Sequence, residues 1–424
     1  MKILFLAVNR ETISMPTLPL GLACVASATE RAGHRVKLVN LTSGAGSDES
    51  LEKVLRAFCP DIIALSVRNI DDQGRRDTRF LLDQIKDVIM YCRTSTTAPV
   101  IVGGAGYSMY PESVLAYLGA DMGIKGEGER ALPALLEQIV SGGDISEVPG
   151  VYLPGKGTKS KNHFVDDLDA YGFPDEHLWL SSERIDQETW IPLQTRRGCP
   201  LNCSYCSTPS IEGEVLREHS PEAVVEVVVR YVRAGFDKFY FTDNTFNIPP
   251  SYAADLCHRL EASGVELSWM CILYPGDIEE SLIRDMARAG CREVTLGFES
   301  GSEYMLRSMN KRFTPGQVRR TSELLAKYGI RHMGCLLLGG PGETKESVEE
   351  SLAFADSLPL TTVKVTSGIR IYPHTALAQK AVDEGIVSPQ DDLLFPRFYL
   401  AEGLEHWLDE TLMAWMDKRP HWSL

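Results

Sequence analysis

Gly198-Cys199-Pro200-Leu201-Asn202-Cys203-Ser204-Tyr205-Cys206 is the stretch on which the reading of this chain turns. A strand-like run, 191–195, precedes it, so the three cysteines fall in the first loop of a strand–helix series. The spacing C-x3-C-x2-C lets one loop present three thiolates to one face of a metal centre. Four thiolates would close a [4Fe–4S] cube, and three leave one iron open. Structural zinc is the competing reading and needs a fourth ligand, for which His219 and Cys257 are the nearest candidates.

Working outward, strands are predicted over 191–195, 238–242, 267–272, 293–298, 331–338 and 363–371. Helical periodicity falls between them, at about 221–234, 251–263, 279–289, 315–328 and 345–357. Six strand–helix repeats predict a partial (β/α)6 TIM-type barrel over 191–375, with functional residues at the C-terminal strand ends. Those ends carry Phe241-Thr242-Asp243-Asn244, Leu296-Gly297-Phe298-Glu299-Ser300-Gly301 and Leu338-Gly339-Gly340-Pro341-Gly342. Lys311-Arg312 lies one helix after the second of these, and a solvated charged pair is its plain alternative. Glycines at 339 and 340 suit either close backbone approach to a ligand or a tight turn. Residues 376–424 are expected to form a short helical segment, with helices near 375–385 and 404–417.

Upstream, residues 1–145 alternate strand and helix and predict a Rossmann-like, doubly wound parallel sheet, so the fold class is α/β. Such sheets bind ligands at the carboxyl ends of their strands. A Gly- and Pro-punctuated linker with a small hairpin is expected over 146–190. The loop after the first strand, residues 9–18, holds no glycine, so the G-x-G-x-x-G of dinucleotide binding is absent and NAD is an unlikely ligand by that criterion.

Composition bounds the rest. The chain has 424 residues, 44% apolar and 24% charged, and a net charge of −15. That excludes wholesale disorder. Ten cysteines are too few for a disulfide scaffold, and no apolar run is long enough for a transmembrane helix. The first residues read as a buried strand rather than a signal peptide, which gives a cytoplasmic, reduced setting. The acidic balance, with no run of five basic residues, disfavours nucleic acid and favours a small-molecule substrate, with a peptide as the other option.

The cysteine stretch, with Tyr205 before the last cysteine, resembles the radical S-adenosylmethionine (SAM) superfamily over about 190–375. The resemblance implies that SAM chelates the open iron through its amine and carboxylate. One electron, from a donor such as flavodoxin or ferredoxin, then yields a 5′-deoxyadenosyl radical. It implies that Tyr205 packs by the adenine. Asp243 and Asn244 stand where many members have a Gly-Gly-Glu that holds the SAM amine. Glu299 and Ser300 fall in a Gly-x-Glu-Ser-Gly that contacts SAM, Lys311 and Arg312 could meet its carboxylate, and Gly339 and Gly340 approach it.

Residues 1–140 resemble the cobalamin-binding domain of cobalamin-dependent radical SAM enzymes. The pieces are Pro19-Leu20-Gly21, Ser66-Val67-Arg68-Asn69, Gly103-Gly104-Ala105-Gly106 and Gly126-Glu127-Gly128. The Asp-x-His-x-x-Gly that ligates cobalt in many cobalamin proteins is missing. Arg68 is expected to fill the lower face in its place, a salt bridge to Asp71 or Asp72 being the plainer alternative. Together the two resemblances imply a monomeric methyltransferase carrying a methyl group from cobalamin to an unactivated carbon. Cyclisation or rearrangement without methyl transfer is the runner-up.

Two further readings compete with this one. Cys24, Cys59 and Cys92 mimic the long-spaced N-terminal cysteines of tRNA methylthiotransferases, but occupy helix and strand-entry positions where they should not converge. A non-catalytic cobalamin or cluster sensor is disfavoured by the full set of strand-end motifs.

Overall fold

Alternating apolar runs and amphipathic helices build two parallel sheets in succession. The computed structural model describes residues 1–8, 18–41, 47–159, 164–179 and 189–424. The glycine-free loop at 9–17 and part of the linker lie outside these.

The first sheet contains β1 (Lys2–Ala7), β2 (Arg35–Asn40), β3 (Ile62–Ser66), β4 (Val100–Gly103), β5 (Met122–Ile124) and β6 (Val151–Tyr152). Its order is β2-β1-β3-β4-β5-β6. The first five strands are parallel, and β6 closes the edge antiparallel. The β1 side chains are buried on both faces, as a strand covered by helices on each side requires. The order reverses between β1 and β3, so the carboxyl ends there open a crevice. The sheet continues past the expected boundary at 145, because Val151 and Tyr152 still pair with β5.

The second sheet begins with β7 (Ile191–Leu193). A small hairpin follows, β8 (Arg196–Arg197) with β9 (Arg217–Glu218). Then come β10 (Lys238–Phe241), β11 (Ser268–Leu273), β12 (Cys291–Glu299), β13 (Arg331–Leu338) and β14 (Thr362–Ser367). A second hairpin pairs β15 (Ile369–Arg370) with β16 (Phe398–Tyr399). The last strand is β17 (Trp422–Ser423). The main sheet runs β7-β10-β11-β12-β13-β14-β17, all parallel. Along β10 to β14 one face is fully buried under helices. The other is half-buried and lines a lumen.

The partial barrel therefore has a seventh strand, supplied by the segment expected to be wholly helical. The helices Ala376–Asp383 and Glu405–Met416 are present as expected. Helical spacing of apolar residues runs over 77–91, but the helix itself spans Leu82–Ser95. Asp71 bridges Phe80, and the Leu81 amide donates to the Ile70 carbonyl, so residues 71–81 fold back as a loop. No helix among the described residues is long and apolar enough to cross a membrane.

Candidate active site

The cysteine loop is held from three sides. Gly198 has φ +90°, and an added Cβ would lie 2.2 Å from the Val215 carbonyl oxygen, so glycine is required there. The Cys199 amide donates to the Gly213 carbonyl. Ser204 donates its amide to the Met309 carbonyl and accepts the Leu377 amide, while Asn310 Nδ2 donates to the Asn202 carbonyl at 2.6 Å. Burial raises the pKa values of Cys199 and Cys203, and the neighbouring thiols of the loop push them further in the same direction. The sulfurs therefore face a common space. Lys311 counteracts this rise at Cys203. Of the two candidates for a fourth zinc ligand, Cys257 is buried in the helix Pro250–Ala262. His219 is engaged elsewhere, with its Nδ1 2.9 Å from Asp169.

Facing the loop is the end of β12. A register shift between Gly297 and Glu299 carries Glu299 into the left-handed region, at φ +66°. A non-glycine residue held there is strained, and such strain clusters at functional sites. Glu299 Oε1 accepts from Tyr205 Oη at 2.9 Å and from Lys311 Nζ at 3.2 Å. Burial works against the Lys311 charge, yet Glu299 beside it raises the ammonium pKa well above its usual value. Burial and the same carboxylate raise the Tyr205 pKa. Cys203, Tyr205, Glu299 and Lys311 thus form one electrostatic unit at the barrel mouth. The Lys311-Arg312 pair divides: Lys311 is buried, whereas Arg312 is exposed and only its amide is used, donating to Tyr274 Oη at 2.7 Å.

Four expected SAM ligands are committed elsewhere. Asp243 is 1% exposed. It accepts from both backbone amides and the hydroxyl of Thr195-Arg196, and pairs with the Arg196 guanidinium at 2.7 Å. Arg196 also stacks over Tyr252 and Phe246. This pair locks β7 to β10, so Asp243 is a scaffold residue and Asn244 alone of the two reaches the site. Asn244 Nδ2 donates to Glu212 at 2.7 Å, and Glu212 also accepts from the Gly198 amide and Gln194. Ser300 is fully buried, bonded to Ser351 and the Ser302 amide, and is likewise structural. Gly339 and Gly340 donate their amides to the buried carboxyl of Glu343 rather than lying free for a ligand.

At the first sheet's carboxyl edge a cavity of about 430 Å³ opens. Ten of the expected cobalamin residues line it: Pro19, Leu20, Gly21, Ser66, Arg68, Gly103, Gly104, Gly126, Glu127 and Gly128. Small residues dominate this wall, and an added Cβ at Gly21 would meet no protein atom. Gly104, at φ +102°, lies so close to the Val67 carbonyl that a Cβ would clash at 2.7 Å. Val67, Asn69 and Gly106 do not line the cavity. Val67 is buried in the core, and its carbonyl and that of Arg68 accept the Gly106 amide. Arg68 stands in the cavity, where desolvation lowers its pKa and Tyr240 opposes the shift. Asp71 and Asp72 are taken by Arg370 and Arg79, at 2.9 and 3.0 Å.

The opposite wall of the same cavity belongs to the barrel: Pro192, Gln194, Arg197, Ile211, Glu212, Tyr240 and Thr242. Sequence reading did not single out Arg197, which directly precedes the cysteine loop. It pairs with Glu129 at 2.6 Å and with Glu127 at 3.2 Å, and Arg217 also pairs with Glu127. The only sequence signal for it is the Arg196-Arg197 doublet, which is too short to count as a basic run. Cys24 and Cys92 are buried in helices and Cys59 is exposed, which does not support a second cluster.

Comparison with known proteins follows the same division. Residues 7–136 match the B12 binding domain, and residues 193–355 match the radical SAM superfamily. An uncharacterized methyltransferase of Pyrococcus horikoshii is 25% identical over 407 residues, covering 94% of this chain and 86% of that protein. The tryptophan 2-C-methyltransferase of Streptomyces laurentii is 22% identical over 443 residues, covering 89% of this chain and 74% of that protein. Among solved structures, TsrM of Kitasatospora setae with cobalamin and a [4Fe–4S] cluster bound superposes with a TM-score of 0.87. It is 20% identical, and the match covers 100% of this chain and 90% of that one.

Proposed function

Because the chain joins a B12 binding domain to a radical SAM domain, we propose that it moves a SAM-derived methyl group, by way of cobalamin, to an unactivated carbon of a small molecule. The observation that carries the reading is the shared cavity. One wall is the glycine-rich edge of the first sheet, and the other is the barrel face beside the cysteine loop. When bound, the cluster with SAM supplies a carbon-centred radical and cobalamin supplies the methyl group.

The chain's own residues position and shield. Cys199, Cys203 and Cys206 would ligate three irons. Glu299, held by Tyr205 and Lys311, supplies a fixed acceptor at the mouth for a donor group of SAM. Pro19, Leu20, Gly21, Gly103, Gly104, Gly126 and Gly128 would cradle the corrin. Arg68 would occupy its lower side, and the cation would disfavour a high charge on cobalt. Electron paramagnetic resonance of the Co(II) form should then show no superhyperfine structure from a protein imidazole nitrogen.

The reading also takes the chain to act as a monomer served by a flavodoxin- or ferredoxin-type donor. Its test is anaerobic turnover of the reconstituted enzyme with candidate small molecules. The product should gain one methylene, and an unchanged carbon count would overturn methyl transfer in favour of cyclisation or rearrangement.

A further inference from the structure

The barrel lumen holds a cation that the site described above does not use. Along β14, Val363 and Val365 turn outward and are buried, so Lys364 and Thr366 turn inward. Lys364 is paired in register with Cys335 of β13, which also faces inward between the buried Gly334 and Leu336. The two side chains interact. Burial raises the Cys335 thiol to about 12, Glu299 adds to the rise, and Lys364 and Lys311 oppose it. Cys335 in turn acts on Tyr240 across the lumen. Lys364 thus faces the lumen beside Cys335, which also lies within electrostatic reach of Glu299 and Lys311.

The inward carboxylates of β12 already have partners. Glu299 is held by Lys311 and Tyr205, and Glu293 pairs with Arg331 at the far end. Among the described residues Lys364 has no hydrogen-bond or ion-pair partner, and its ammonium acts on the Cys335 thiol. An inward-facing ammonium with no carboxylate beside it offers its charge to an anionic ligand. The chain as a whole is acidic, at −15, and would repel an anion that no local cation received.

We propose that Lys364 anchors a carboxylate of the small-molecule substrate, which makes the enzyme selective for acids over neutral analogues; this rests on the methyltransferase reading. SAM carries a carboxylate too, but a methionine end bound to the open iron would sit at the cysteine loop, beside Cys203 and Lys311. Lys364 lies two strands from Glu299, at the level of Gly297 and Cys335.

The first test needs no turnover. The holoenzyme is reductively methylated with 13C, which keeps the lysine charge, and the Lys364 resonance is assigned by its loss in K364R. Acetate is expected to shift this resonance saturably, acetamide is not, and the response should persist with SAM bound. An equal response to acetate and acetamide overturns the proposal. Loss of the acetate response on adding SAM overturns it as well, by assigning Lys364 to the SAM carboxylate. The second test uses a substrate identified by its methylene gain. K364M should raise KM for the acid about tenfold, an effect worth about 1.4 kcal/mol, with kcat little changed. The matched primary amide should be equally poor for both proteins, and a K364M enzyme with unchanged KM for the acid refutes the anchor. Should acetate bind as expected while products keep their carbon count, the anion site stands and the methyl-transfer reading falls.

Discussion

Glu343 shows how much one residue's chemistry depends on its surroundings. One carboxyl oxygen accepts the Gly339 and Gly340 amides, and the other is buried without a hydrogen-bond partner among the described residues. Burial raises its pKa to about 7 despite those two donors. A carboxyl whose folded pKa exceeds its unfolded value near 4.3 keeps more protons in the folded state. Stability from this group is therefore full below about pH 4 and falls as pH rises toward 7, then levels off. At about 1.36 kcal/mol per unit, the span from about 4.3 to about 7 amounts to about 4 kcal/mol. Urea unfolding between pH 5 and 8 should show this decline, and E343Q, which still accepts the two amides, should flatten it. A wild-type profile that is level over this range would contradict the raised pKa. The sequence disclosed the Gly-Gly-Pro-Gly turn but gave no sign that its carboxylate neighbour is the residue holding it shut. Nothing in a residue's type reports its burial. For the same reason Asp243, a polar residue at a strand end, read as a ligand.

At the scale of elements, the strand ends are where sequence reading served well and where it slipped. Periodicity located six barrel strands, because each has one face buried and one facing the lumen. It missed β17, whose two residues are too short to show any period. It also began the helix at Leu82 five residues early, since Asp77 to Leu81 carry helix-compatible residues but are tied back by the Asp71–Phe80 bridge. The strand-end motifs were legible as a group, yet only some of their residues reach the site. Asp243 and Arg196, each 1% exposed, instead join β7 to β10 directly before the cysteine loop. Removing the charge of Asp243 would leave a buried guanidinium uncompensated, a loss of about 3–5 kcal/mol for pairs of this kind. D243N should therefore lower the urea midpoint and weaken cluster assembly. Its SAM affinity, measured on the folded, reconstituted fraction, should stay within about threefold of wild type, an energy of about 0.6 kcal/mol. A selective loss of SAM binding with unchanged stability would restore Asp243 as a ligand.

At the scale of the whole molecule, the two sheets are joined by ion pairs, so neither half of the site is assembled alone. Arg370 meets Asp71, and Arg75 meets Asp409, tying the C-terminal segment to the loop after β3. Arg197 bonds Glu129 and Glu127 at the start of the helix Gly128–Ser141, and its own position is fixed one residue before Gly198. Burial works against its charge, yet Glu129 and Glu127 raise its pKa above the ordinary arginine value. This linkage physically couples the glycine-lined wall of the cavity to the cysteine loop. R197M would leave Glu129 buried, at 6% side-chain exposure, without its cation, whereas Glu127 keeps Arg217. The strain should fall on the cavity wall that Glu127 and Gly128 form. Cobalamin affinity should then drop about tenfold, or about 1.4 kcal/mol. The measurement is the cobalamin absorbance retained through gel filtration at graded concentrations. Adding E129Q removes the uncompensated charge, so the double variant should recover part of the loss. If R197M retains cobalamin as the wild type does, the ion pairs hold the sheets together without shaping the cavity. If R197M loses affinity and E129Q restores none of it, the packing of the Arg197 stem matters more than its charge.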